Sequence, residues 1–372
     1  MRVTFVLPDA NLGGGTRMIA QHADNLRRRG HDLFILSCPP WDIPLRSKFG
    51  ALMKGKPWPS RPPRRPPSHL DGLDLDHKTL NRRRPVEDRD LPEADVVIAT
   101  WWQTAEGVAR LSPRKGAKVY FIQGSHFGPH FGPEGVEVAS TWRLPMQKIV
   151  CASWLADVAR EDFGDPTAIV VRNGLDLDLF DAPERGRQSH PTIGTVHGDH
   201  FCKGWDATLA AFSLVAERMP GIAMNVFGSS VPESLPPGVT FTHLPPQEAI
   251  PKIYASCDVY LCSSRNEGYG LPPIEAMGCR CPVVSTRVGA PAEVIQDGVN
   301  GFLVEIDDVE AMADRIVRVL NCSEPEWKRM SDAAYATARE FTVSDATDAF
   351  EQALYATVAK SRSQAVPAAG VH

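Results

Sequence analysis

Short, continuous apolar runs alternate with helically spaced ones from the first residues onward. "RVTFVLP" is a β-rich run, "LGGGT" follows it, and "RMIAQHADNLRRRG" carries helical spacing that stops at Gly30. "DLFILS", "ADVVIAT", "KVYFIQ", "KIVCAS" and "AIVVRNG" repeat the strand pattern, with helical stretches such as "SWLADVAREDF" between them. Apolar runs without polar alternation predict strands buried on both faces, hence a parallel sheet covered by helices.

The pattern then begins afresh. "TIGTV" leads through a loop to "GWDATLAAFSLVAERM", and "IAMNVFG", "VTFTHL", "DVYLCSS", "CPVVST" and "GFLVE" follow. The break falls near "DAPERGRQSHP", a polar stretch with Pro183 and Pro191. The expected architecture is α/β, two Rossmann-like domains in tandem: residues 1–185, then 186–340. A C-terminal helix over 341–360 would pack back toward the first domain, and 361–372 would be a disordered tail. Two such sheets would leave a cleft at the carboxyl ends of their strands, where ligands of these folds bind.

Composition narrows the class. At 372 residues the chain exceeds the usual size of one domain, and 43% hydrophobic with 23% charged residues is ordinary for a globular protein with a full core. A net charge of −5 argues against a general nucleic-acid binder. The eight cysteines lie mostly in strand-like runs and show no zinc spacing, so they are expected as reduced thiols packed like small hydrophobes. No run approaches the roughly 18 apolar residues of a membrane span, and "MRVTFVLPDA" is too short and strand-like for a signal peptide. A cytoplasmic location is expected.

One segment, 38–91, reads as a long Pro-rich insertion. From Leu45 to Pro67 it holds Arg46, Lys48, Lys54, Lys56, Arg61, Arg64 and Arg65 and no acid, interleaved with Trp41, Phe49, Leu52, Met53 and Trp58. Such a stretch is either a solvated insertion or, over 41–67, a peripheral contact with an anionic membrane face.

The most informative stretch is "SRNEGYGLPPIEAMGCRCPVVST". "DVYLCSS" predicts a strand, "RNEGYGL" its exit loop and "PPIEAM" the first turn of a helix, with Pro272 or Pro273 where a missing N–H costs nothing. The amides of Gly268, Tyr269, Gly270 and Leu271 then meet a positive helix end, which suits a phosphate or a sugar hydroxyl. Glu267 would face the sugar side, and Glu275, one turn into the helix, could accept from two vicinal hydroxyls of a ribose. Taken singly, Glu267 is a solvated loop acid and Glu275 a helix-start charge; the whole arrangement is more specific than either.

This stretch resembles the Glu-x7-Glu signature of retaining glycosyltransferases of the family-four type, which have the two-Rossmann GT-B fold. "GGGTR", "VCAS" followed by "WL", "VRNGLD", Lys203-Gly204 and "GAPAEVIQDGVNGFLV" extend the likeness over most of the chain. The resemblance implies that Glu267 contacts the donor sugar, Glu275 holds the ribose and Lys203 binds the diphosphate. Gly228 belongs with the nucleotide by the same token. Gly14, Gly15 and Thr16 would lie beside the donor phosphates and the acceptor entrance, and His126, with His130 and Gln123 as alternatives, would face the donor sugar. The chain departs from the pattern at "TVHGDHFCKG", which lacks the arginine usually found before the lysine. His197 and His200 stand there instead, and Arg265 or Arg172 is a candidate second cation.

No metal is expected. The pairs Asp74/Asp76 and Asp176/Asp178 lack the context of a cation-binding motif and read as structural. The implied activity is retaining transfer of a hexosyl or deoxyhexosyl group, with no cofactor, from a nucleotide-diphosphate sugar to a hydroxyl of a glycan, lipid-linked or small-molecule acceptor. The likeness extends to bacterial polysaccharide-assembly enzymes. Two other readings stay open. A nucleotide-sugar epimerase would turn over donor without acceptor, and a sugar-nucleotide binding protein would bind without turnover.

Overall fold

The computed structural model describes residues 1–41, 49, 52–53, 66–125 and 132–365. They form two compact units: Met1–Val171 with Thr347–His372, and Arg172–Ala346. The first holds a seven-stranded sheet of β1 (Arg2–Leu7), β2 (Asp32–Ser37), β3 (Asp76–Thr79), β4 (Val96–Ala99), β5 (Ala117–Ile122), β6 (Gln147–Val150) and β7 (Ile169–Val170). The second holds a six-stranded sheet of β8 (Thr192–His197), β9 (Ala223–Gly228), β10 (Val239–His243), β11 (Val259–Cys262), β12 (Val283–Thr286) and β13 (Gly301–Val304).

The two sheets share one winding. Their orders are β3-β2-β1-β4-β5-β6-β7 and β10-β9-β8-β11-β12-β13, with parallel pairing in both. In each, the chain moves outward for three strands and then returns to the other side of the first. The loops leaving β1 and β4, and those leaving β8 and β11, therefore diverge and open a crevice at the carboxyl ends. All four residues of β4 and of β11 are buried, as expected for strands covered on both faces.

β3 corrects the reading of 38–91 as a plain insertion. "DHKT" is polar, with exposure alternating along it, and pairs with β2 as the edge of the first sheet. An edge strand with one covered face needs no apolar run, which is why hydrophobicity did not mark it. The basic stretch 42–65 lies outside the described residues, except for Phe49, Leu52 and Met53, which are exposed. Among the described residues, no helix is long and apolar enough to cross a membrane.

The stretch after β7 packs on the second unit. Leu175 N donates to Phe341 O and Ala182 N to Gly278 O, so the division between units falls at Val171/Arg172, ahead of the polar stretch at Pro183. The last helix, Val343–Ala365, returns to the first unit from Thr347 and continues five residues into the stretch read as a tail. There Phe350 stacks on His22 and packs on Phe121, while Arg29 and His31 bond to Glu351.

Candidate active site

The crevice of the second unit lies where β8 and β11 part. A pocket of about 260 Å³ is lined by Thr195 and Val196 of β8, Tyr260–Cys262 of β11, Ser263, Ser264 and Glu267 of its exit loop, Lys203, Pro272 and Pro273. Lys203 comes from the loop after β8. That loop turns through a short 3-10 segment, Phe201–Lys203, into Gly204, the residue ahead of helix Trp205–Arg218. Gly204 sits in the left-handed region (φ 62°), and a Cβ there would lie 2.1 Å from Ser263 O, so only glycine fits. The Ser263 hydroxyl donates to Gly204 O at 2.9 Å, which ties the two loops together at their roots.

The pocket's two charges meet. Lys203 Nζ donates to Glu267 Oε1 at 2.7 Å, and Ser264 Oγ donates to the same oxygen at 2.7 Å. Burial works to lower the Lys203 ammonium, but the carboxylate outweighs it and holds the lysine above its ordinary value. A charged ammonium on the pocket wall is suited to an anionic group entering beside it. Ser264 was not singled out in the sequence; its signal is the hydroxyl doublet that closes an apolar strand.

Glu275 is placed differently. It is 3% exposed in helix Leu271–Gly278 and lies outside the residues that line the pocket; its Oε2 accepts from Tyr254 Oη at 2.8 Å. That helix starts after Gly270, again left-handed (φ 89°), with Pro272 and Pro273 in its first turn. Prolines have no N–H, so the turn's amides come from Gly268, Tyr269, Gly270 and Leu271. Tyr269 is buried, and its carbonyl accepts from Ala290 N at 2.6 Å. Gly228 ends β9 opposite His197 and leaves no room for a side chain, since a Cβ would meet His197 O at 2.5 Å.

None of the candidate second cations is presented to this pocket. Arg265 makes a two-pronged pair with Asp206 and a bond to Asp307, and Arg172 pairs with Glu293 at 3.0 Å. His197 Nδ1 faces Ser230 O at 2.9 Å, and His200 Nδ1 accepts from Cys202 N as a cap.

In the first unit, Gly14, Gly15 and Thr16 open helix Gly14–Arg28, after β1. Asn11 Oδ1 accepts from Gly13 N at 2.7 Å and from Thr16 Oγ1 at 3.0 Å, which orders the loop. Gln123 Nε2 donates to Gly15 O at 3.3 Å and also lines a second cavity of about 210 Å³ with Thr100, Trp101 and Trp102. His126 and His130 lie outside the described residues. Asp176 Oδ1 accepts from Asp178 N, a turn contact, and Asp74 pairs with Arg27. The cysteines are free, and burial pushes thiols such as Cys257 up, there to about 11.

Known proteins share this architecture. HepE of Anabaena, solved with UDP and glucose, superposes with a TM-score of 0.73 at 17% identity, over 96% of this chain and all of that one. TarM of S. aureus, solved with alpha-GlcNAc-glycerol and UDP, gives 0.72 at 12% over 95% of this chain. The fold is GT-B. Residues 190–322, within the second unit, match the family model of glycosyl transferases, group 1. D-inositol 3-phosphate glycosyltransferase of Mycobacterium avium is 31% identical over 206 residues, covering 50% of this chain and 48% of the relative. N-acetyl-alpha-D-glucosaminyl L-malate synthase of Bacillus anthracis is 38% identical over 78 residues, 21% of this chain and 20% of the relative. The chain spans about half the length of the D-inositol 3-phosphate glycosyltransferases it matches.

Proposed function

We propose that the protein transfers a sugar from a nucleotide-diphosphate donor to an acceptor hydroxyl with retained anomeric configuration. The observation that carries this is the Lys203–Glu267 pair at the crevice between β8 and β11 of a group 1 glycosyltransferase domain. Lys203 stabilises the charge that grows on the departing diphosphate, and Glu267 faces the sugar. Among the described residues lining the pocket, Glu267 is the only carboxylate, and Lys203 and Ser264 engage it. Both bonds fall on Oε1 and fix the orientation of the carboxylate, and we read it as a positioned acceptor of hydrogen bonds. A same-face displacement fits better, with the leaving phosphate taking the acceptor proton. No metal or cofactor enters this scheme. UDP is a natural first donor nucleotide, because the superposable HepE and TarM were solved with it.

Calorimetric titration of UDP, GDP, dTDP and ADP tests the reading. One nucleotide should bind selectively, and Glu275→Gln should weaken it about tenfold through loss of a charged ribose acceptor, roughly 1.4 kcal/mol. Glutamine still accepts from Tyr254, and the unfolding midpoint of the variant is measured beside its affinity. Binding of none by the wild type would sink the donor assignment, and equal affinity in the variant would sink the ribose role. Isomerised donor in the absence of acceptor would move the reading to an epimerase.

The acceptor is a glycan, lipid-linked or small hydroxyl compound, and its side of the reaction is assigned to the first unit, where Trp101 and Trp102 line a cavity. Peripheral attachment at the inner membrane face through residues 41–67 belongs to the same reading. The protein should then pellet with anionic vesicles at low salt, and a chain lacking residues 42–65 should stay in the supernatant.

A further inference from the structure

We infer that Arg265 is a positioning residue of the donor pocket: it straps the loop of Lys203 to the loop of Glu267 and keeps that pair in register without touching the donor. This rests on the reading of the pocket as the donor site.

Arg265 stands two residues before Glu267, and its side chain is only 12% exposed. Its guanidinium reaches three separate segments. Two nitrogens grip Asp206, in the first turn of the helix that follows Lys203, at 2.8 and 2.7 Å. Nε donates to Asp307 Oδ1 at 2.7 Å, in the turn after β13, and Nη1 donates to Phe201 O at 3.1 Å. The plane lies 4.2 Å over the Phe201 ring. The main chain closes the strap, since Arg265 N donates to Cys202 O at 2.7 Å, next to Lys203.

Geometry decides between this role and that of the missing phosphate cation. A planar fork committed to a carboxylate on two prongs, to a second carboxylate and to a carbonyl has its donors turned away from the pocket. Two anions also neutralise it, so it offers a phosphate little net attraction. Asp307 holds its end of the pair from a left-handed backbone (φ 63°), a conformation that Asp tolerates better than most non-glycine residues. Isolated surface pairs contribute little, whereas one buried-edge arginine joining three loops fixes their relative positions. The loops it joins carry Lys203 and Glu267, whose nitrogen and oxygen must stay within hydrogen-bond reach.

A positioning residue has a signature that a direct ligand lacks. Arg265→Met should weaken binding of the nucleoside diphosphate about tenfold and leave the matching monophosphate within twofold, because only the former reaches Lys203. In a Lys203→Met background the same change should cost nothing further, the non-additivity expected when one residue acts through the other. Arg265→Lys, able to hold one carboxylate but not two, should fall between. A loss that is additive with Lys203→Met, equal for mono- and diphosphate, or absent overturns the proposal.

A second readout needs no nucleotide. Trace labelling with acetic anhydride, scored by mass spectrometry, should show Lys203 several-fold more reactive relative to Lys252 in Arg265→Met, at an unchanged unfolding midpoint. Unchanged reactivity overturns the strap. If the wild type binds none of the four nucleotides, the donor reading fails, and the labelling result alone decides whether Arg265 holds the pair.

Discussion

Lys203→Met should lower turnover of the nucleotide sugar, by hydrolysis or by transfer, about 10²- to 10³-fold, or roughly 2.7–4 kcal/mol of transition-state stabilisation. The size follows from three features of the pocket. Lys203 is fixed before substrate arrives, by Glu267 at 2.7 Å and by the turn into Gly204, so no reorganisation is spent during reaction. The Glu267 carboxylate holds the ammonium above its ordinary value despite burial, so it is charged near neutral pH. The charge it meets is absent from the acceptor and greatest on the leaving diphosphate, so its loss falls on kcat more than on ground-state binding of the sugar.

Lysine-to-methionine also strands a carboxylate, since Glu267 then keeps only Ser264 of the two side-chain donors described here. Some destabilisation will accompany the rate effect, and the unfolding midpoint must be measured beside it. Lys203→Arg should recover only part of the rate. A guanidinium is a planar fork that spreads its charge over several donors, so it does not reproduce the compact ammonium aimed at one phosphate. Turnover within about threefold of wild type in Lys203→Met would remove this residue from the mechanism.

What could be read from sequence follows how far a signal extends along the chain. The buried strands announced themselves, because a doubly covered strand such as "VYLC" must be apolar throughout, whereas the polar edge strand "DHKT" had no such mark. Glu267 and Lys203 were legible as separate candidates, each at a strand exit; their mutual bond was not, because it joins positions 64 apart. Arg265 illustrates the limit. A cation beside a glycine-rich loop invites a ligand role, and only the folded arrangement shows Asp206 and Asp307 occupying it. Glu275 shows another limit, since its partner Tyr254 lies on a different helix. His22 lies further still from view. Its helix reads as amphipathic, yet what faces the imidazole is a helix more than 320 residues later.

That contact predicts an acid-sensitive first unit. His22 is fully buried, stacked 4.5 Å from Phe350 and edge-on to Phe121, with Nδ1 3.3 Å from Thr347 Oγ1 and Nε2 without a hydrogen-bond partner among the described residues. Burial first, and then the nearby Arg29, lower it from 6.5 to about 4. The folded state therefore keeps the ring neutral where the unfolded chain already binds a proton. Between about pH 6.5 and pH 4 the unfolded state holds more protons, so stability falls as pH falls, and the loss saturates below the folded value. The slope approaches 1.4 kcal/mol per pH unit, or about 2 kcal/mol lost by pH 5. For a unit of this size that is roughly 4–8 °C in unfolding midpoint. Thermal scans of wild type and His22→Gln from pH 7.5 to pH 4.5 isolate the term, since every other titration is common to both. The difference between the two curves should grow as pH falls, in favour of the variant, because glutamine has no proton to take up. Parallel curves across that window would show that His22 is not the group that makes docking of the last helix acid-sensitive.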